Sequence, residues 1–382
     1  MLHPEIPQPL EIGDPVPIFE ARTLANATIN LSVVAGRWVA LCFLNTLAQP
    51  DSSRALAELL GEAKLFNDDH LVFYGVLTSP PVEAEMLAQV SNPALGFVMD
   101  YAGDITRAFG AFGNSRLVVL DPMLRLYADF PIGPGGRPVE DMRKFLRDLP
   151  SVDDAAGVPV SAPALVVPRV LETSFCEQLI NLYEHDGGVE SGFMLDQQGK
   201  TSTVVNHFLK SRRDLPLIDP AVREKIRDRV VRRLVPAIER FFQYRPTRMD
   251  RYMVSCYAAE TGGHFFRHRD NMNAGARHRR FAVSINLNRD YDGCDLIFPE
   301  FGRRHYRAPL GGAVVFSTGA LHQVLPITRG KRYAFVPFLY GEEDAAMRLA
   351  NNALLQAGEG LYSGDSDQLF PPGGNILRMA AQ

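Results

Sequence analysis

Residues 252–271 read YMVSCYAAETGGHFFRHRDN, and the reading of the last few decides the second half of the chain. If FRHRD is extended, side chains two apart share a face. His268 and Asp270 then project together, and Arg269 points the other way. An imidazole nitrogen and a carboxylate oxygen suit a first-row metal such as Fe(II). Two ligands hold such an ion poorly, so a third has to come from elsewhere. His322, in STGALHQVLPITRGKRYAF (317–335), follows the strand-like GAVVFS. Arg332 lies ten residues further on and opens another strand pattern, sharing a face with Ala334 and Val336. A guanidinium turned inward over small neighbours is costly unless an anion meets it. It binds a carboxylate in bidentate fashion. Two histidines and one carboxylate on one face of a metal leave positions open, as in non-haem iron oxygenases. H-x-D alone is a weak pattern, and a lone late histidine is more often a satisfied polar group. The ordered set of four, with strand patterns around it, carries the reading.

Outward from this stretch, residues 250–340 hold further strand patterns: FAVSINLN (281–288), DLIFP (295–299), GAVVFS (312–317) and RYAFVPFLY (332–340). Before them come a strand, ALVVPRVL (164–171), and a helix starting at Ser174 with Glu177 as its capping box. A longer helix spans 219–242, with Asp219 as N-cap, Pro220 in its first turn and a kink at Pro236. Helices against a run of antiparallel strands predict an α+β domain or a barrel. A helix over 343–356 and a Gly/Pro/Ser-rich tail end the chain.

The first half alternates. Strands are expected at VALCFLN (39–45), LVFYGVL (71–77), FVMD, RLVVLD and LRLYADF. Helices are expected at 52–66, 81–90, ITRAFGAFG and 139–149. This is the pattern of a layered α/β domain. The small, proline-bearing stretch 151–163 suits a linker between domains 1–150 and 164–342. A length of 382 residues fits two domains. Apolar content of 46%, charged content of 22% and a net charge of −4 are ordinary; they give no reason to expect a nucleic-acid or membrane partner. The opening residues show no leader pattern, and the longest apolar runs are strand-length. Cys42, Cys176, Cys256 and Cys294 form no C-x-x-C, which suggests idle thiols in a reducing cytoplasm. The patches HRR (278–280) and RRHYR (303–307) read as solvated faces, with substrate steering as the functional alternative. His264 is expected to be exposed rather than a ligand.

The segment from YMVSCY through HFFRHRDN, FAVSINLN, DGCDLIFPE and LGGAVVFSTGALHQVLPITRGKRYAF resembles the catalytic core of the 2-oxoglutarate/Fe(II) dioxygenases, in particular the prolyl 4-hydroxylase type. The resemblance covers roughly residues 160–342. It implies a double-stranded β-helix (jelly roll) with flanking helices. It implies His268, Asp270 and His322 as catalytic iron ligands and Arg332 as partner of the distal carboxylate of 2-oxoglutarate. It places Tyr257 and Asn286 in the co-substrate pocket. Asp270 argues against the halogenating branch, which lacks that carboxylate. The family's paired glycines are here DGCDL, with Cys294 in the second place.

The stretch from GDPVPIFEA to RLVVLD resembles the peroxiredoxins, which have a thioredoxin fold. Their nucleophilic cysteine sits where a helix N-terminus lowers the thiol pKa. Here Ser52 takes that place and Gln49 the place of an assisting threonine, while Arg116 lies near the family's arginine. Cys42 reads as a packing residue inside a strand. This half is expected to be catalytically silent and to serve dimerisation, substrate presentation or support. Together the resemblances imply an enzyme that uses Fe(II), 2-oxoglutarate and O2, with ascorbate as an auxiliary, to hydroxylate a prolyl residue or a free amino acid. The alternatives are a thiol peroxidase and a non-catalytic binding or scaffold protein.

Overall fold

In the computed structural model, the residues described are 9–45, 47, 49–78, 92–197, 200–356, 361–364 and 367–370. The helix expected over 81–90 lies outside them. The chain divides into two compact units, Met1–Ala162 with Phe298–Arg304, and Pro163–Ile297 with His305–Gln382. The stretch expected to be a linker, 151–163, therefore falls in the first unit in all but its last residue. Its start is tied down: the Trp38 indole donates to Pro150 O at 2.8 Å and Val152 is buried.

The first unit is built on a five-stranded sheet: β1 (Trp38–Leu44), β2 (Leu71–Leu77), β3 (Leu95–Met99), β4 (Arg116–Leu120) and β5 (Leu126–Pro131). The spatial order is β3-β2-β1-β4-β5. β1 to β3 pair in parallel, while β4 and β5 add antiparallel. All seven residues of β1 are buried, as a continuous apolar run in a covered central strand should be. Edge strand β5 alternates buried and exposed positions. Helix α1 runs Pro50–Gly61 rather than 52–66: Pro50 is favoured in its first turn, and the poor helix former Gly61 ends it. Helices α2 (Asp104–Ala108) and α3 (Val139–Arg147) complete the layers. The fold is thioredoxin-like.

In the second unit, α4 (Thr173–Asp186) is capped at Glu172, not Ser174. The Glu172 side chain makes no cap bond; it reaches Arg229 and Arg233 instead. The bonds to Arg233 and Arg229 hold its carboxyl down to about 2. Asp219 does cap α5 (Pro220–Arg229), accepting from Ala221 N at 2.8 Å. The long helix is relieved before Pro236: residues Val230–Leu234 form a π turn, and α6 (Val235–Phe242) follows. A π turn absorbs the amide bond that proline cannot make. The last helix runs Glu342–Asn351, with a 3-10 turn Asn352–Leu354 behind it. Among the described residues, no helix is long and apolar enough to cross a membrane.

Eight strands form the barrel: β6 (Met253–Ala258), β7 (His264–His268), β8 (Phe281–Asn286), β9 (Leu296–Ile297), β10 (His305–Tyr306), β11 (Ala313–Ser317), β12 (His322–Val324) and β13 (Ile327–Phe335). One sheet pairs β6 with β13, β13 with β8 and β8 with β11. The other runs β7-β12-β9-β10. The chain passes repeatedly from one sheet to the other, which is jelly-roll winding. Alternation sorts the larger sheet's faces. Val254, Cys256, Val283, Ile285, Tyr333 and Phe335 join Leu179, Ile226, Val230, Leu234 and Ile238 of the helices in one apolar core. Tyr257, Ser284 and Arg332 line a cavity on the other face.

Phe335 is fully buried in this core and pairs with both Val254 and Ile285. Phe335→Ala is expected to cost about 3–5 kcal/mol, read as a lower urea midpoint for the transition that unfolds the barrel.

Candidate active site

The cavity begins with a cross-strand pair. His268, the last residue of β7, lies opposite His322, the first of β12, with an irregularity in register between Phe265 and His268. The imidazole centroids are 4.2 Å apart. Each ring is fixed from behind through Nδ1, His268 by Phe266 O at 2.7 Å and His322 by Ala320 O at 3.0 Å. That assigns the proton to Nδ1 and turns the Nε2 lone pair toward Asp270, the usual preparation of a metal-ligating histidine. Both Nε2 atoms face Asp270, at 3.5 Å from Oδ1 for His268 and 3.3 Å from Oδ2 for His322. The three candidate ligand atoms all lie within 4.8 Å of one another.

Asp270 reaches this position from a turn rather than from the strand expected over FRHRD. β12 offers no partner beyond His322, so the ladder stops at His268 and Asp270 N donates instead to Thr318 O at 3.0 Å. Thr318 is itself pinned, donating to Arg279 O at 2.7 Å. Burial alone would raise the Asp270 carboxyl, but His322 and His268 hold it well below the usual carboxylate range. Burial, with His268 alongside, pushes His322 down to about 4. A carboxylate and a neutral imidazole at neutral pH are the forms a metal requires. Phe265 stacks on His268 at 3.6 Å and Phe316 meets His322 edge-on at 4.7 Å, so the walls are aromatic.

Arg332 lines the same cavity. It is buried and donates to Asn286 Oδ1 at 3.0 and 2.9 Å and to Ser284 Oγ at 2.7 Å. A third neighbour is Cys294 Sγ at 3.9 Å. None of these is an anion. The guanidinium stays protonated at any physiological pH, so among the described residues its hydrogen bonds go to neutral acceptors alone. Tyr257, opposite Arg332 in the strand register, sets its ring 5.6 Å beneath the guanidinium. Asn286 thus holds the arginine rather than facing open space. The cavity encloses about 580 Å³ of non-atom space, part of it open to solvent.

The sequence reading missed a second charged group. Arg212 lines the cavity, its guanidinium 5.7 Å from the Tyr257 ring centroid, and donates to Asp214 at 2.7 Å. Asp214 also accepts from Ser255 Oγ at 2.6 Å. Buried Lys210 donates to Ser191 Oγ and Gly192 O, and burial, then Arg212, push its pKa well below the ordinary lysine value. Charged residues at every second position of KSRRD (210–214), Lys210, Arg212 and Asp214, were the available signal. Arg251, also on the cavity wall, sits in the left-handed region at φ 59°. HRR is not a solvated face. His278 and Arg279 are buried beside Asp250, and Arg280 pairs with Asp344. Arg303, Arg304, His305 and Arg307 of RRHYR are exposed. His264 is half-buried, its ring nitrogens within 2.7 Å of Gly262 O and 3.1 Å of Phe208 O, and it takes no place in the triad. Cys294 occupies its glycine-like place at φ 57°.

In the first unit, Ser52 is buried in the first turn of α1, and its hydroxyl donates to Ser115 Oγ at 3.0 Å. Arg116 is occupied by Asp129, at 2.9 Å through Nε and 2.5 Å through Nη2. Cys42 faces the core and burial pushes its thiol up to about 12. No thiolate is therefore available in this unit's core.

Residues 252–340 match the family model of the 2OG-Fe(II) oxygenase superfamily. The second unit is a 2OG-Fe(II) oxygenase domain. Residues 12–132 match the AhpC/TSA family, so the oxygenase domain is joined to an AhpC/TSA-type domain. A PKHD-type hydroxylase of Synechococcus sp. (strain JA-2-3B'a(2-13)) is 32% identical over 117 residues, 28% of this chain and 51% of that protein. A PKHD-type hydroxylase of Stutzerimonas stutzeri is 28% identical over 158 residues, 39% of this chain and 64% of that one. The chain spans about half the length of the first of these relatives. A solved prolyl hydroxylase from Trichoplax adhaerens, in complex with a hypoxia inducible factor peptide, superposes with a TM-score of 0.37 at 17% identity, over 55% of this chain and 97% of that one. The superfamily's chemistry is that of Fe(II), 2-oxoglutarate and O2, and the oxygenase domain offers ligands of the right kind for it.

Two outcomes are expected. His268→Ala and His322→Ala each weaken Co(II) binding by at least about a hundredfold in calorimetry, while His264→Ala changes it by less than about twofold. Hydrogen peroxide with a dithiol is not consumed in a coupled assay, and Cys42→Ser leaves that result unchanged.

Proposed function

We propose that this chain is an Fe(II)- and 2-oxoglutarate-dependent hydroxylase that places a hydroxyl group on an unactivated C–H bond. The observation that carries the reading is the sharing of one cavity by a two-histidine, one-carboxylate cluster and a buried arginine with only neutral partners. A bare scaffold would have no use for a desolvated charge left without a counter-ion. The prolyl hydroxylase type, with a prolyl residue or a free amino acid as acceptor, is supported by the names of the similar proteins. Ascorbate fits as an auxiliary reductant, and the AhpC/TSA-type domain fits a role in dimerisation or substrate presentation.

Each residue has a part in this reading. Nε2 of His268, Nε2 of His322 and the Asp270 carboxylate would hold the metal, leaving positions open for ligands. Bound there, Fe(II) with 2-oxoglutarate and O2 supplies the oxidising power, and succinate and CO2 are released. Arg332 would receive the far carboxylate of 2-oxoglutarate in bidentate fashion. Ser284 and Asn286 hold its guanidinium in position beforehand, and Tyr257 closes the floor. Phe265, Phe316, Leu296 and Val324 line the cavity with apolar surface, which limits water around the reacting atoms.

The test is an anaerobic titration of 2-oxoglutarate into the Fe(II) protein, followed by the visible charge-transfer band of the chelate. The band is expected to grow in the native protein and to be absent in His268→Ala. Arg332→Lys is expected to weaken 2-oxoglutarate by about tenfold or more and iron by less than about twofold. Iron binding with no band in the native protein would sink the proposal.

A further inference from the structure

The cavity holds more positive charge than the proposed reaction uses. Its wall carries the guanidinium groups of Arg212, Arg251 and Arg332, against the carboxylate of Asp270. Arg332 is reserved for the co-substrate, and Arg212 is neutralised by Asp214. Arg251 differs from both. It is partly buried, its guanidinium lies 5.4 Å from the ring centroid of Phe338, itself a wall residue, and among the described residues it makes no hydrogen bond or ion pair.

Among the described residues, no acid is in hydrogen-bond or ion-pair contact with Arg251. Arg279 lies over the same Phe338 ring at 4.1 Å, and the acid near Arg279, Asp250, is shared with His278 and Arg348. Lys210 has only Ser191 Oγ and Gly192 O as hydrogen-bond acceptors. A divalent metal on Asp270, with doubly charged 2-oxoglutarate spanning the metal and Arg332, brings that half of the cavity to zero. Arg212 and Asp214 cancel. Among the charged groups of the cavity wall itself, one positive charge is left, on Arg251. A partly desolvated cation facing a binding cavity is stabilised when a bound anion meets it.

The geometry points to Arg251 as the residue that selects the acceptor: it takes the carboxylate of a substrate that carries one, and so holds the neighbouring carbon skeleton in the cavity beside the triad. One surplus charge matches a carboxylate monoanion better than a phosphate dianion, and the planar guanidinium matches its two oxygens. The carboxylate belongs to a free amino acid or to the C-terminal residue of a peptide. This inference rests on the oxygenase reading and names its substrate class.

The test uses the full chain loaded anaerobically with Fe(II) and 2-oxoglutarate. Two matched probe pairs are titrated in, L-proline against L-prolinamide and glycyl-L-proline against its amide, and the shift of the charge-transfer band is followed. At least one acid is expected to bind about tenfold or more tighter than its amide. The pair that shows the preference tells a free amino acid from a chain terminus. Arg251→Gln is expected to abolish the preference and Arg251→Lys to restore part of it, with the 2-oxoglutarate band and the circular dichroism of both variants as in the native protein. Equal binding of acid and amide, no binding of either acid, or a preference that survives Arg251→Gln would overturn the inference. A missing band would instead count against the oxygenase reading itself, so the two failures are distinguishable.

Discussion

The site depends on one cross-strand pair, His268 opposite His322. The two residues are far apart in the chain and become neighbours because jelly-roll winding lays β7 beside β12. A slip of one residue in that pairing would turn one imidazole to the opposite face. The register is held locally as well. Each ring is bonded through Nδ1 to the carbonyl two residues before it, and Asp270 is hung on Thr318, across from the end of the ladder. The cluster is therefore aimed in large part by backbone geometry.

The second constraint is the buried charge opposite. β6, β8 and β13 alternate strictly, with one face in the apolar core under α4 to α6 and the other polar. That polar face would be an expensive place for Arg332 were Ser284 and Asn286 not set on the neighbouring strand to accept from it. The arrangement satisfies the donors without cancelling the charge. It leaves the arginine able to exchange part of its protein contact for an anion, which is what a co-substrate site requires.

The first unit shows the opposite case, a thioredoxin-like fold with Ser52 where the resemblance expects a thiol. The thioredoxin-like sheet is complete, and α1 begins where a reactive thiol would be activated. The buried Ser52 bonds to Ser115 there, and Arg116 is engaged by Asp129. A hydroxyl does not ionise in that setting as a thiol does. The match to the AhpC/TSA family thus speaks for the fold of residues 12–132, and the reactive group speaks against peroxide chemistry.

Much of this was legible in the chain itself. Continuous apolar runs marked the covered strands, alternation marked the two-faced ones, and H-x-D, His322 and Arg332 stood in an order that left little else to propose. These features are local or depend on spacing, so a linear reading reaches them. The misses have physical reasons. The capping box at Ser174 was plausible, but Glu172 is drawn to arginines of a later helix and the helix starts earlier. HRR looked solvated because the acid it meets, Asp250, comes from a segment remote in the chain. Arg212, paired with Asp214, and the unpaired Arg251 became part of the site only when the winding of the barrel brought Arg212 and Arg251 to the cavity that holds the triad. The sequence by itself determined which side chains could bind a metal and an anion. Tertiary structure alone decided which charges are cancelled, because cancellation depends on distances between segments remote in the chain.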